Sequence, residues 1–347
     1  TCDGMAMALR AGLTLRDMEM VQFHPTGLLA GAGTRMTGTV LEEGLRGAGG
    51  YLLNGDQQRF MGNYDARLER ATRDIVSRAI FAEMRAGRTT PGGGVYISMA
   101  HLGADNNRKN FKGMVERCED CGFDLAGGLV EVVPTAHYMM GGVAFKAGCT
   151  TEVAGLFVAG EDAGGVHGAN RLGGNGVANS TVFGGIAGDA MPRWLAAHGA
   201  LHEPDREVLD AAVARACVPL TKPAGDLNAI REALYEIMWD DVGIVRTAAS
   251  LQRAQGKLAE LDARLDGCGV ASGDLAFNLT WHDWLNLKSQ ILVSQSICVA
   301  AAARDDLDHS HYTCVNWTDG RFAISARPVI FSLVRPGATL IKEEINA

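Results

Sequence analysis

Hydrophobic and polar positions along this chain change period several times, and each change marks an element. Thr1-Cys2-Asp3-Gly4, followed by a run of Met, Ala and Leu, predicts a small-residue helix over Thr1–Leu13, capped by Thr1 or Asp3 and stopped at Gly12. From Met18 to Leu53 short apolar runs alternate with glycine clusters, the pattern of strands joined by tight loops. A helical period returns over Ala71–Ala86, where Ile75, Ala79, Ile80 and Met84 form one stripe. Val95–Met99 predicts a strand, the charged stretch Gly103–Cys121 a surface helix, and Val130–Pro134 another strand. Leu156–Gly160 has a buried-strand pattern, and Gly184–Leu195 predicts a small-residue helix ending near Gly199.

After Pro204 the pattern becomes helical. Asp205–Leu265 places Leu227, Ile230, Leu234, Ile237 and Met238 on one face, and Trp281–Arg304 adds a long helix, so a separate helical domain is expected. The tail, Arg321–Leu340, alternates in β-branched runs broken by Pro328 and Pro336 and predicts two short strands. No repeat or low-complexity tract interrupts this order.

Composition narrows the class. With 347 residues and a hydrophobic fraction of 47%, the chain can bury more than one core. A net charge of −8 without a run of Lys or Arg argues against a nucleic-acid partner. The most apolar window, Ile291–Ala303, is short and carries Gln and Ser, so no membrane insertion is expected. Eight scattered cysteines suggest reduced thiols in a cytoplasmic setting. Cys118 and Cys121 form a lone Cys-Glu-Asp-Cys with no second pair at ligand spacing, so no metal site is expected. The chain opens on Thr1 within a helix already in progress, which reads as a fragment.

The chemistry concentrates in five motifs. His-Gly-Ala-Asn-Arg-Leu-Gly-Gly-Asn, His167–Asn175, follows a strand pattern and precedes a small-residue helix. Its glycines allow a close backbone approach, and the helix start offers free N–H groups to an anionic group. Gly155–Asp162 ends its strand pattern in Gly-Glu, where the Glu161 carboxylate can accept from ribose hydroxyls. His-Tyr-Met-Met-Gly-Gly at His137–Gly142 and Gln-Phe-His-Pro-Thr-Gly at Gln22–Gly27 complete the set, with Glu43–Gly50 (Glu-Gly-Leu-Arg-Gly-Ala-Gly-Gly) between them.

In this order the motifs resemble the flavoprotein subunits of succinate dehydrogenase and fumarate reductase and the related L-aspartate oxidase, over roughly Thr1 to Arg304. The resemblance implies an α/β plus α chain: the C-terminal part of a Rossmann-like FAD-binding domain, interrupted by an α+β capping domain and followed by a helical domain. The expected boundaries are 1–17 for the remnant of the FAD-binding domain, 18–134 mainly capping domain, 135–200 the returning FAD segment, 201–310 helical domain and 311–347 a strand-rich tail. No Gly-x-Gly-x-x-Gly loop follows a strand, so the N-terminal nucleotide-binding segment is expected to be missing.

Carried over residue by residue, the resemblance implies FAD held by Asp3, Glu161, Asn170, Arg171, Gly173, Gly174 and Asn175. It implies a dicarboxylate bound by His24, His137 and Arg171, with Glu42 at the position of a further ligand. It implies Arg73 as the proton donor, resupplied through Glu43 and Arg46. Guanidinium forks and imidazole donors suit carboxylates, but an arginine acid is unusual because its pKa lies above 12; the plain alternative is an Arg73 that only stabilises charge. The implied reaction interconverts succinate-type and fumarate-type acids by hydride transfer at flavin N5. An aspartate oxidase or another unsaturated-acid reductase is the alternative, as is a non-catalytic component awaiting a separate nucleotide-binding chain. The implied partner is an iron–sulfur or other electron-transfer subunit, through which the protein would associate with a membrane.

Several positions depart from the pattern. Glu42 replaces a hydroxyl residue and would set two anions face to face. The spacing from His24 to Glu43 is longer than in the respiratory enzymes, so Arg35, Thr37 or Thr39 would substitute as ligands. Cys2 stands where glycine is usual, and Asp305–His311 replaces an acidic-Arg-Gly-His run.

Overall fold

The computed structural model describes residues 2–31, 34–199, 203–304, 311–318 and 320–328. The strands are β1 (Leu15–Arg16), β2 (Val21–Leu28), β3 (Tyr51–Leu53), β4 (Val95–Ser98), β5 (Leu129–Met139), β6 (Gly142–Val143), β7 (His311–Thr318) and β8 (Arg321–Pro328). Among the described residues they form two antiparallel sheets, ordered β6-β1-β7-β8 and β2-β5-β4-β3.

The second sheet and its helices build the capping region. Helices α2 (Gly44–Gly47) and α3 (Arg73–Arg85) flank it. The core stripe of α3 runs through Val76, Ala79 and Ile80, while Ile75 and Met84 lie at its margin. Arg73, Ser77 and Glu83 are also buried on α3, which rotates the stripe from its apolar positions; Glu83 survives burial because Arg88, Tyr64 and Asn54 all donate to it. The expected surface helix at Gly103–Cys121 is two helices, α4 (Ala104–Asn110) and α5 (Lys112–Glu119), broken at Phe111 with φ −127°.

Helix α1 (Asp3–Arg10) ends before Gly12, but its N-cap is neither of the expected residues. Cys2 occupies that position at φ 63°, ψ 17°, and no side chain caps the helix; Asp3 is its first residue, and Thr1 lies outside the described residues. This left-handed geometry explains why glycine would suit position 2.

The expected strand at Leu156–Gly160 does not form. Phe157 makes one isolated bridge to Thr150, and a run with no ladder partner cannot close its backbone hydrogen bonds as a strand. Helix α6 (Asn175–His198) begins nine positions before its expected start and ends at the Gly199 cap, φ 82°. Helices α7 (Arg206–Cys217), α8 (Leu227–Asp240), α9 (Ala248–Gly267) and α10 (Leu279–Ala303) follow. Ile230, Leu234, Ile237, Leu258, Leu287 and Ile291 share one apolar core with Met5, Leu9 and Leu15, so the helical region packs directly on α1 and β1. In the tail, β8 matches the first expected strand and pairs with β7; the second expected strand and Asp305–Ser310 lie outside the described residues.

Candidate active site

Strands β2 and β5 bring the first two expected ligands together through bulges. Gln22 pairs with Tyr138 and Phe23 with Ala136, which leaves His137 as the extra residue on β5. His24 pairs with Thr135 and Gly27 with Val133, so β2 carries an extra residue across Pro25, which has no N–H for the ladder. The two imidazoles meet edge to face, with centroids 5.3 Å apart. The motif block from Thr135 therefore starts within β5, which extends to Met139 rather than stopping at Pro134.

His24 is buried, and the Thr26 backbone N–H donates to its Nδ1 at 3.3 Å. An accepting Nδ1 places the imidazole proton on Nε2, so His24 presents a donor. Burial, with the charges of Arg73, His137, Arg46 and Arg171, lowers its pKa to about 3. His137 is exposed, and burial of part of its ring together with Arg73 and Arg171 also holds it below the ordinary value. Both rings are then neutral near pH 7 until an anion joins them.

Arg73 is the first residue of α3 and faces Glu43, the N-cap of α2. Its Nη2 and Nε donate to Glu43 Oε2 at 2.8 and 3.3 Å, and its Nη1 donates to Gln22 Oε1 at 3.1 Å. Arg46 Nη2 donates to the other Glu43 oxygen at 3.1 Å, and its Nη1 to the Glu69 carbonyl at 2.7 Å. Burial alone would raise the Glu43 carboxyl, but hydrogen bonds and charge from Arg73, with Arg46, outweigh it and leave the pKa lowered. Burial lowers that of Arg46. The three expected relay residues are thus one continuous chain of contacts.

The glycine-rich loop closes over this chain. A Cβ on Gly173 would lie 2.7 Å from Glu43 Oε2 and 3.4 Å from Arg73 Nη2, so the loop approaches the pair this closely only while the Glu43 carboxylate need not move aside for a side chain. Asn170 Nδ2 donates to Asp74 Oδ1 at 3.0 Å, and Gln22 Nε2 donates to the Arg171 carbonyl at 2.6 Å. The Arg171 guanidinium lies 4.3 Å over the Tyr138 ring. Burial and the nearby Arg73 lower its pKa. No carboxylate among the described residues forms an ion pair with Arg171, and its Nε is buried without a hydrogen-bond partner.

The expected cofactor residues surround the same loop. Gly174, φ 82°, is the N-cap of the 24-residue helix α6 and supplies no side-chain cap, so the positive end of the helix dipole starts at Asn175, whose own N–H is turned back to the Leu172 carbonyl. Asn179 Oδ1 is also buried without a partner. Glu161 accepts from the Met139 N–H at 2.9 Å, and a Cβ on Gly4 would run into the Asp162 carboxylate beside Asp3. Orphaned buried polar atoms, an uncapped helix start and the exposed side chains of Leu172 and Val177 fit a large group that is partly anionic and partly apolar.

Two sets of expected ligands fall elsewhere. Glu42 is exposed, and among the described residues no hydrogen bond or ion pair joins it to the cluster. Thr37 closes its own loop, its hydroxyl donating to the Gly31 carbonyl and accepting from the Ala30 N–H, while Arg35 is exposed. Sequence reasoning passed over Gln22, Thr26, Tyr138 and His167 although all stand inside the quoted motifs. Gln22 bridges Arg73 to the loop, and Thr26 both sets the His24 tautomer and donates to the Leu41 carbonyl at 2.9 Å, tying down the segment that leads to Glu43. Tyr138 contacts His167 at 3.3 Å and accepts from Asn179 at the same distance.

A family described as FAD binding domain matches residues 1–177, and one described as fumarate reductase flavoprotein C-term matches 231–314. A subunit of the fumarate reductase (CoM/CoB) of Methanothermobacter marburgensis is 39% identical over 310 residues, covering 89% of this chain and 56% of that protein. The 8-methylmenaquinol:fumarate reductase flavoprotein subunit of Wolinella succinogenes is 36% identical, covering 90% and 52%. The solved quinol fumarate reductase of Escherichia coli superposes with a TM-score of 0.86 at 31% identity, covering 97% of this chain and 63% of that one. The chain spans about half the length of the curated relatives it matches.

Proposed function

Because this chain belongs to the FAD-dependent flavoprotein family of fumarate reductase and succinate dehydrogenase, we propose that its site binds a four-carbon dicarboxylate and interconverts the saturated and unsaturated acids. The observation that carries this reading is a group of donors, His24, His137 and Arg171, with no carboxylate of their own, beside an arginine that has one. A dianionic ligand supplies what that group lacks.

Asp3, Glu161, Asn170, Arg171, Gly173, Gly174 and Asn175 would hold FAD, which when bound supplies the hydride donor or acceptor. His24 Nε2–H, His137 and the Arg171 fork bind and orient the substrate carboxylates. Arg73 delivers or takes up the proton at the neighbouring carbon, and Glu43 with Arg46 restores its protonation. Glu43 accepts from Arg73 at 2.8 Å and from Arg46 at 3.1 Å, so once Arg73 has given up a proton, one can pass from Arg46 to the Glu43 carboxylate and from it to Arg73. Gln22 fixes the direction of the Arg73 guanidinium.

The electron-transfer partner is proposed on the relatives' designation as subunits. Among the described residues no helix is long and apolar enough to cross a membrane, so association would run through that partner. Full-length protein, reduced anaerobically and mixed with fumarate, should show reoxidation of its flavin absorbance, and Arg171→Gln should raise the fumarate KM more than tenfold. Aspartate driving the flavin change in place of fumarate and succinate would reassign the substrate, and a full-length protein without flavin absorbance would mark a non-catalytic component.

A further inference from the structure

A second cavity, about 460 Å³, lies at the far end of the relay and contains none of the dicarboxylate ligands. It is lined by Arg46, Arg59, Arg67, Arg70, Tyr51 and His101, with Glu69 in its wall. Tyr51 and His101 stack with centroids 3.8 Å apart and planes 7° from parallel, and the Arg59 guanidinium lies 4.0 Å over the Tyr51 ring. The stack holds an imidazole and a guanidinium at fixed positions on one wall.

Charge does not balance around this cavity. Glu69 is paired with Arg59, Asp65 with Arg67, and Glu43 is shared by Arg46 and Arg73. The four guanidiniums of the cavity wall, Arg46, Arg59, Arg67 and Arg70, thus meet three carboxylates, one of which Arg46 shares with Arg73, and among the described residues Arg70 has no ion pair. A second, independent observation concerns Arg46. It is 1% exposed, and its Nε is buried with no hydrogen-bond partner. Its two terminal nitrogens are bonded to Glu43 and the Glu69 carbonyl, so Nε is the donor still lacking an acceptor. A water molecule would satisfy that donor but leave the charge surplus standing. An oxyanion lodged among these side chains answers the charge surplus beside the Arg46 guanidinium, since its geometry matches planar guanidinium forks.

We propose that this cavity binds a small oxyanion of the phosphate class, and that the bound anion acts on the proton relay through Arg46. The regulatory half rests on the relay reading given above. An anion beside Arg46 stabilises the charged guanidinium and opposes the effect of burial on it. Proton resupply to Arg73 then slows, while the dicarboxylate ligands, on the other side of Glu43, are untouched. The expected signature is a fall in kcat with an unchanged KM.

The test uses the full-length, flavin-loaded protein and inorganic phosphate at constant ionic strength set with chloride. Phosphorus NMR or calorimetry should show saturable binding, weakened at least about tenfold by Arg70→Ala and also weakened by His101→Gln. Non-saturable binding, or saturable binding that neither variant alters, overturns the site. Steady-state rates with fumarate should show kcat falling with phosphate in the parent protein and resisting it in Arg70→Ala. A rise in KM alone, or turnover unchanged at saturating phosphate, overturns the coupling to Arg46. Binding is read without turnover, so failure of the dicarboxylate assignment would leave that half of the result standing.

Discussion

The two sides of the active site use the same residue types to opposite ends. On the relay side, Arg73 and Arg46 share both oxygens of Glu43, and every carboxylate oxygen has a donor. On the ligand side, Arg171 lies over an aromatic ring with a bare Nε, and two imidazoles are held neutral by burial and by surrounding cations. In the first arrangement both oxygens of the carboxylate are already taken by donors of this chain, which leaves no acceptor to be supplied by a ligand there. The second is incomplete, and an unpaired buried donor is costly enough that a ligand supplying the missing anion gains from it.

Arg73→Ala breaks the comparison most directly. It should lower turnover about 10²–10⁴-fold while leaving the flavin absorbance of the full-length protein intact; a near-normal rate would remove Arg73 from proton transfer. Gly173→Ala sharpens it from the loop side. Its added carbon would press on Glu43 Oε2 and push that carboxylate off its hydrogen bond to Arg73, and a loss of about tenfold in kcat is expected. Stopped-flow reduction of the bound flavin would separate this from weaker cofactor binding.

A smaller effect concerns pH. Because His24 and His137 lie below their ordinary pKa in the free protein, a dianion that raises them must bind together with proton uptake. Dicarboxylate affinity should therefore rise as pH falls through neutrality, by at most about tenfold per unit for each proton taken up. Calorimetry in buffers of different ionisation enthalpy measures that uptake directly, and a buffer-independent heat would contradict it. Stability of the free protein runs the opposite way: a depressed histidine contributes fully above its unfolded value of 6.5 and loses that contribution as pH falls toward about 3. Smallest of all should be Glu42→Thr. With Glu42 exposed and unconnected to the cluster, fumarate KM should change by less than about threefold; a larger change would place its carboxylate against the ligand.

Much of the local structure was readable from patterning. Helix α8 follows its apolar face closely, since Ile230, Leu234 and Ile237 recur at helical spacing and are all buried. The failures have identifiable causes. Leu156–Gly160 has the composition of a strand but lacks a neighbour to pair with, and pairing is a property of distant chain. On α3, buried Arg73 and Glu83 displaced the expected stripe because each finds polar partners from other elements.

For the site, the motifs by themselves identified the family and nearly all the cationic residues, because a guanidinium or imidazole is recognisable wherever it stands in the chain. Which of those groups touch, and which are left without partners, was decided by tertiary structure. Two bulges between β2 and β5 set the imidazoles against each other, and a glycine pressed onto Glu43 sets the loop over the relay. Those placements depend on register and close approach between segments more than a hundred residues apart in some cases, and no local periodicity encodes a distance of that kind.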